Sequence, residues 1–302
     1  MNMFWKKLFI RLGIALLGVV IVVGIVGGYI YHDVIKTTNL IYHPIKKTDK
    51  RAEPVFLNKK EPFSVLLLGV DKRKGDRGRS DSLMIVTVNP NNDTTKIISI
   101  PRDTRTEIVG KNKVDKINHA FAFGGVQMTV NTVEKFLNIP IDYYLEVNME
   151  GFKGIVDAIG GVKVNNTLDF TNDGVHFKKG LIYLNGEKAL SYSRMRYEDP
   201  RGDFGREERQ RQIIQAVIQE GTKIESLIGY GDIVKSIQKN IETNFTIQEI
   251  YDIQKDYRQA SGNIEQLQLQ GSGKMINGIY YYLIPESNRL QLSNELRKQL
   301  EL

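Results

Sequence analysis

Arg194, Arg196, Arg201, Arg206, Arg209 and Arg211 crowd into one short stretch, interleaved with Glu198, Asp199, Asp203, Glu207 and Glu208. This alternation differs from a basic tail, in which like charges run together and stay solvated. Arg194 and Arg196 are two apart, so an extended backbone would carry both guanidinium groups on one side. Pro200 to Gly205 reads as a loop. Ile213, Ile214, Val217 and Ile218 then follow amphipathic helix spacing, with Asp203 as the expected N-cap. Arg206 falls in the first turn, with Gln210 on the same face. An arginine at a helix N-terminus opposes the helix dipole unless an anion lies between the two. The planar arginine fork matches phosphate oxygens. Arg194, Arg196, Arg206 and Gln210 therefore suit a phosphate or pyrophosphate clamp. They also suit a salt-bridged, solvent-facing helix start.

A second constellation lies in the loop from Gly69 to Ser82, which leaves the end of a buried strand, where α/β proteins place their sites. Asp71 and Asp81 bracket a glycine- and arginine-rich run. Hard divalent ions use one or two carboxylates with phosphate oxygens and water. The pair suits that role if the loop folds back on itself, and Arg79 would then approach the same phosphates. A flexible charged hairpin is the plainer alternative. Pro101-Arg102-Asp103 follows a third strand and adds Arg102 as a phosphate contact. A P-loop is excluded, because no Lys-Ser/Thr follows Gly75, and no kinase glycine loop precedes Arg102-Asp103. His119 is chemically able to act as an acid or base, but a lone histidine beside apolar residues reads as a hydrogen-bonded structural group.

The net charge is +7, of which Lys6, Lys7 and Arg11 supply three. The rest is only mildly basic, which argues against nucleic acid as a partner. Cysteine is absent, which excludes disulfides, thiolate metal sites and cysteine nucleophiles. His32, His43, His119 and His176 show no zinc-ligand spacing.

The uncharged run from Leu12 to Tyr31 would span about 30 Å as a helix, the thickness of a hydrocarbon core. Lys6, Lys7 and Arg11 precede it, so residues 1–11 are expected in the cytoplasm and everything after Tyr31 outside. The length of the run and the lack of an Ala-x-Ala-like site favour a retained anchor over a cleaved signal peptide. Residues 32–61, polar and lysine-rich with Pro44 and Pro54, read as a stalk, helical near Asp33–Tyr42. Its lysines could meet anionic membrane lipid or wall polymer.

From residue 62 onward one domain is expected. Strands are predicted at Phe63–Gly69, Leu83–Val88, Lys96–Ile100, Asp142–Val147, Val162–Val164 and Gln266–Gln270. Helices are predicted from Gly124 to Leu137 and at Gly151–Ile159, Asn185–Tyr192, Arg206–Glu220, Asp232–Lys239, Ile247–Tyr257 and Pro285–Leu300. Asn91-Asn92-Asp93 makes the second and third strands a hairpin. The alternation implies an α/β fold, a mixed central sheet covered by helices on both sides.

With Leu68-Gly69-Val70-Asp71, Arg79-Ser80-Asp81-Ser82, Ser99-Ile100-Pro101-Arg102-Asp103, Lys116-Ile117-Asn118-His119-Ala120, Gly160-Gly161-Val162, Leu184-Asn185-Gly186 and Arg194-Met195-Arg196 through Arg206-x-x-Arg209-Gln210, the chain resembles the LytR-CpsA-Psr family of membrane-anchored cell-wall proteins. The resemblance covers roughly Phe63 to Thr222. It implies that residues 62–302 form an extracellular catalytic domain. That domain would move a glycopolymer (wall teichoic acid, capsule or another wall polymer) from an undecaprenyl-pyrophosphate carrier to the C6 hydroxyl of N-acetylmuramic acid in peptidoglycan. By the same resemblance, Asp71 and Asp81 bind Mg²⁺, with Mn²⁺ as the alternative ion. Arg79, Arg102, Arg194, Arg196, Arg206 and Gln210 hold the pyrophosphate, and a prenyl chain enters an apolar pocket. Segments near Ala120–Phe123 and Ile213–Ile218 are candidates for its lining, with core packing as the alternative. Asp71, Arg79, Asp81 and Arg102 form the expected catalytic group, with Asp71 or Asp81 as base. Two other readings use the same residues: a membrane-tethered prenyl-pyrophosphate phosphatase, with water replacing the sugar hydroxyl, and a non-enzymatic envelope regulator.

Overall fold

The computed structural model describes residues 41–46, 49–71, 78–223 and 237–302. The expected anchor (Leu12–Tyr31), the start of the stalk, the loop at 72–77 and the predicted helix at 232–236 lie outside the described residues. Among the described residues no helix is long and apolar enough to cross a membrane.

The first two strands are β1 (Phe63–Asp71) and β2 (Arg79–Asn89), followed by β3 (Thr94–Ser99), β4 (Arg105–Ile108), β5 (Lys113–Lys116) and helix α1 (His119–Leu137). Next come β6 (Tyr143–Val147), α2 (Met149–Ala158), β7 (Val162–Asn166), β8 (Phe170–Asn172), β9 (Val175–Phe177), β10 (Gly180–Leu184), α3 (Gly186–Arg194) and α4 (Asp203–Gly221). The chain ends with β11 (Ile241–Thr243), α5 (Ile247–Asp256), β12 (Ile264–Gln268), β13 (Ser272–Ile276), β14 (Ile279–Leu283) and α6 (Glu286–Gln299).

The main sheet has the order β11-β6-β1-β2-β3-β12. β1 pairs antiparallel with β2 and parallel with β6, and β12 pairs parallel with β3, so the sheet is mixed. β1 is central and apolar on both faces, as its unbroken hydrophobic run requires. Leu66, Leu68 and Val70 face a core shared with α1 and α6 through Val130, Val133, Leu137, Leu292 and Leu296. Phe63, Val65 and Leu67 face the opposite side, where Ile214 and Ile218 of α4 and Ile253 of α5 pack. Helices therefore cover both faces, as predicted. A smaller lobe of β7–β10, α2 and α3 has its own core around Phe170, Phe177, Tyr192 and Ile213.

Four predicted boundaries shift. β2 begins at Arg79 rather than Leu83, because Val70 and Asp71 pair with Ser80 and Arg79 after a bulge at Gly69/Val70. Pairing satisfies backbone groups that a long loop would leave to solvent. α1 gains a helical turn from His119, and Gly124 and Gly125 (φ −148°, ψ 16° and φ 65°, ψ −154°) kink it ahead of the predicted stretch that ends at Leu137. α4 begins at Asp203, three residues before Arg206, with Gly202 as its N-cap. Arg194 ends helix α3 and Met195 is extended (φ −58°, ψ 134°), so Arg194 and Arg196 do not lie on one continuous strand.

The latter part of the expected stalk packs on the domain. Ile41 is buried with Ile237 and Ile241, and Leu57 joins the α5 side of the sheet. Arg51 Nε lies 3.2 Å from Asp142. Burial pushes the Asp142 carboxyl up, opposed by Arg51 and by hydrogen bonds from Ser64. A chain starting at Phe63 strips this carboxyl of Arg51 and uncovers Ile237 and Ile241. It should be less stable than a chain starting at Ile41 by about 3 kcal/mol or more, read as a lower denaturation midpoint. Equal midpoints would show that residues 41–62 contribute no stability.

Candidate active site at the mouth of an apolar cavity

A cavity of about 620 Å³ lies between one face of the main sheet and helices α4 and α5. Phe63, Val65, Leu67, Met84 and Val86 form its floor, and Ile214, Val217, Ile218, Ile253, Phe245 and Tyr257 enclose it. Asp71, Asp81, Ser82, Arg102, Arg194, Arg196, Tyr197, Arg206 and Gln210 line it as well. The sites predicted at separate places in the sequence therefore meet, except Arg79, which is exposed on β2 and is not among the lining residues. Of the predicted apolar lining, Ile214, Val217 and Ile218 are present. Ala120 and Phe121 do not contribute, because α1 covers the other sheet face, and Ile213 turns into the small lobe. His119 is not among the lining residues; its Nδ1 lies 3.0 Å from Asp115 and its ring meets Phe123 edge-on.

The arginines converge on one carboxylate. Asp203 sits 3.6 Å from Arg102 Nε, 3.4 Å from Arg196 Nη1 and 3.4 Å from Arg206 Nη2. Asp203 is the first residue of α4, with Gly202 as the N-cap, and its carboxylate faces these three guanidinium groups. Arg102 also donates to Asp81 at 2.9 Å. Burial pulls the Arg102 pKa down, but Asp81, Asp203 and Asp103 outweigh it and hold the group above its usual value. Arg206 ends the other way. Burial and the nearby Arg102 charge depress its pKa despite Asp203, and its buried Nε has no hydrogen-bond partner among the described residues. A buried guanidinium donor without an acceptor is costly, and an anion at the mouth would relieve it. Ser82 Oγ donates to Gln210 Oε1 at 3.0 Å, leaving the Gln210 amide N–H groups as donors. Asp71 and Asp81 both line this cavity, two carboxylates of the kind that Mg²⁺ completes with phosphate oxygens and water.

A second ion cluster sets the backbone of the clamp. Asp199 and Arg209 are buried and 2.7 Å apart. Arg209 Nη2 also donates to the Met195 carbonyl at 2.6 Å, between Arg194 and Arg196, and its guanidinium stacks on Phe170. Burial raises the Asp199 pKa, but hydrogen bonds from Arg201 and Arg209 outweigh it and hold the carboxyl at about 2. Gly205 makes the approach possible, since a Cβ there would sit inside the Asp199 carboxylate. Sequence reasoning missed this pair, along with Tyr197 and the role of Asp203. The alternation of charges in the arginine stretch was the only available signal.

Gly205→Ala should therefore cost about 2 to 3 kcal/mol of stability and weaken pyrophosphate binding, measured by denaturation and calorimetry. Wild-type values for both would dissociate Asp199 from the clamp. Buried Glu207 supplies a pH test. Burial lifts its carboxyl from an ordinary 4.5 to about 7, against the pull of Arg211 and Arg206. The folded protein then holds a proton that the unfolded chain releases, so this contribution is full below pH 4.5 and lost as pH rises to about 7. Glu207→Gln should stabilise the protein at pH 8 by on the order of 3 kcal/mol more than at pH 4.5. Equal effects at both pH values would contradict the assignment.

Comparison with known proteins follows this geometry. The LytR_cpsA_psr family model matches residues 28–298. A protein of Bacillus cereus (strain ATCC 14579) named polyisoprenyl-teichoic acid–peptidoglycan teichoic acid transferase TagU is 55% identical over 301 residues, 98% of each chain. The crystal structure of Bacillus subtilis TagU is 49% identical, covering 80% of this chain and 98% of that one with a TM-score of 0.67. A structure described as TagT bound to LI-WTA is 31% identical, covering 85% and 97% with a TM-score of 0.72. The chain belongs to the LytR-CpsA-Psr family.

Proposed function

We propose that this protein is a phosphotransferase that moves a teichoic-acid-type glycopolymer from an undecaprenyl-pyrophosphate carrier to the C6 hydroxyl of N-acetylmuramic acid in peptidoglycan. The observation that carries the reading is the joining of a cationic mouth to a long apolar cavity, which suits a ligand with a pyrophosphate at one end and a prenyl chain at the other. The names of the TagU relatives point to the same donor and acceptor classes. Residues 1–11 would lie in the cytoplasm and Leu12–Tyr31 in the membrane, with the domain outside, where its acceptor is.

The chemistry follows from the mouth. Arg102, Arg194, Arg196 and Arg206 bind the two phosphates and spread the charge that builds on their oxygens during transfer. Gln210 adds neutral donors. The muramyl hydroxyl attacks the phosphorus that carries the polymer. Its proton passes to Asp71 or Asp81, the bond from that phosphorus to the bridging oxygen breaks, and prenyl phosphate leaves. Asp71 and Asp81 would hold Mg²⁺, which when bound supplies further charge neutralisation. The apolar cavity keeps the leaving phosphate tethered through its lipid, each buried CH₂ contributing about 0.8 kcal/mol.

The test uses the full chain in detergent with Mg²⁺, a prenyl-pyrophosphate-linked saccharide and uncrosslinked glycan strands, with products read by mass spectrometry. Saccharide should appear covalently on the glycan, and the rate should fall at least about 100-fold in Arg196→Ala and in Asp81→Ala. Release of prenyl phosphate without transfer would establish a phosphatase. Undiminished transfer in both variants would remove the assigned site.

A further inference from the structure

We propose that one face of the β13–β14 hairpin is the acceptor platform, a surface on which the glycan strand stacks while its muramyl hydroxyl reaches the clamp; this rests on the transferase reading above. In-line displacement needs the entering hydroxyl and the leaving prenyl phosphate on opposite sides of the transferring phosphorus. Helix α4 sets those sides. From Gln210 to Thr222, about 18 Å at helical rise, it lines the apolar cavity with Ile214, Val217 and Ile218. Phe204 lies at the other end of α4, in the first turn beside Asp203, and its ring packs 5.4 Å from that of Tyr282. The hairpin is also tied to the loop that carries Arg102, since the Tyr282 N–H donates to the Asp103 carbonyl at 2.9 Å. The hairpin thus flanks the clamp on the side away from the lipid.

Its surface suits a sugar. In the β13–β14 register Gly273 opposes Tyr282 and Met275 opposes Tyr280, so these four residues share one face. The opposite face carries Tyr281, which is buried and stacks with Arg105 of β4. On the shared face a Cβ at Gly273 would lie 2.5–2.9 Å from the Tyr280 OH, Cε2 and Cζ atoms. The hydroxyl end of the Tyr280 ring therefore lies over the glycine, and the residue remains 44% exposed. Met275 beside it is 61% exposed. An exposed ring with a polar edge pairs with the apolar C–H face of a pyranose and the hydroxyls around it. Tyr280 is two residues, about 7 Å, from Tyr282, so a muramyl unit at the clamp would keep a neighbouring sugar over the Tyr280 ring.

The experiment is steady-state transfer by the full chain, varying uncrosslinked glycan strands of alternating N-acetylglucosamine and N-acetylmuramic acid at fixed donor, then donor at fixed glycan. Tyr280→Ala should raise the KM for glycan about tenfold and leave the KM for donor in place, and Tyr280→Trp should restore the glycan KM. Met275→Lys should raise the glycan KM about threefold. A glycan KM within twofold of wild type in Tyr280→Ala would overturn the platform, as would an equal rise in both KM values. Absence of transfer by the wild-type protein would instead sink the transferase reading. Calorimetric binding of the same strands then tests the platform alone: binding lost in Tyr280→Ala supports it, and binding unchanged or absent in the wild type refutes it.

Discussion

Asp203 is the shared counter-charge of Arg102, Arg196 and Arg206, three guanidinium groups brought to it from three parts of the chain. Cations gathered this closely repel one another; Asp81 and Asp103 also serve Arg102, while Arg206 has Asp203 at 3.4 Å. Arg206 has a depressed pKa. A phosphate at the mouth would supply the acceptor that the Arg206 Nε lacks among the described residues. Such pre-organised donors need little rearrangement when charge develops on phosphate, which is where electrostatic catalysis gains most.

The rest of the fold holds those charges against their repulsion. β1 ends at Asp71 and pairs with the start of β2, which carries Asp81, and Arg102 donates to Asp81. The small lobe supplies Arg194 and Arg196 from the end of α3, with Arg209 and Asp199 pinning the Met195 carbonyl between them. α4 serves both lobes. Ile213 packs into the small lobe, Ile214 and Ile218 pack over the main sheet, and Arg206 and Gln210 reach the mouth. A single helix thus couples the arginine-lined mouth to the apolar cavity.

Much of this was legible before the fold was known, because the informative signals were local. The apolar run of β1, the Asn91-Asn92-Asp93 turn and the helical spacing after Gly205 each carry their own physics, and the layers follow from their alternation. The gathering of Arg194, Arg196 and Arg206 at one mouth was signalled by their crowding in sequence. What escaped was set by tertiary contact. Asp203 looks like an N-cap locally, but Gly202 takes that position and the Asp203 carboxylate meets three cations. Arg79, expected at the phosphates if its loop folds back, is exposed at the start of β2 and is not among the residues that line the cavity. Ile41 and Leu57 sit in a polar, proline-marked segment, and nothing nearby shows that they have partners far along the chain. The β4–β5 and β13–β14 hairpins are short and half-exposed, so their strand signal is weak.

The central claim is that the cationic mouth and the apolar cavity bind one ligand as a unit. The most direct measurement is the affinity of the full chain for a matched series: a prenyl pyrophosphate, the corresponding prenyl monophosphate, the prenyl alcohol and inorganic pyrophosphate. The account predicts that the prenyl pyrophosphate binds far more tightly than either half alone, and that Arg206→Ala removes most of the advantage over the alcohol. Equal affinity for the alcohol and the pyrophosphate, or an Arg206→Ala variant that binds both as the wild type does, would contradict it.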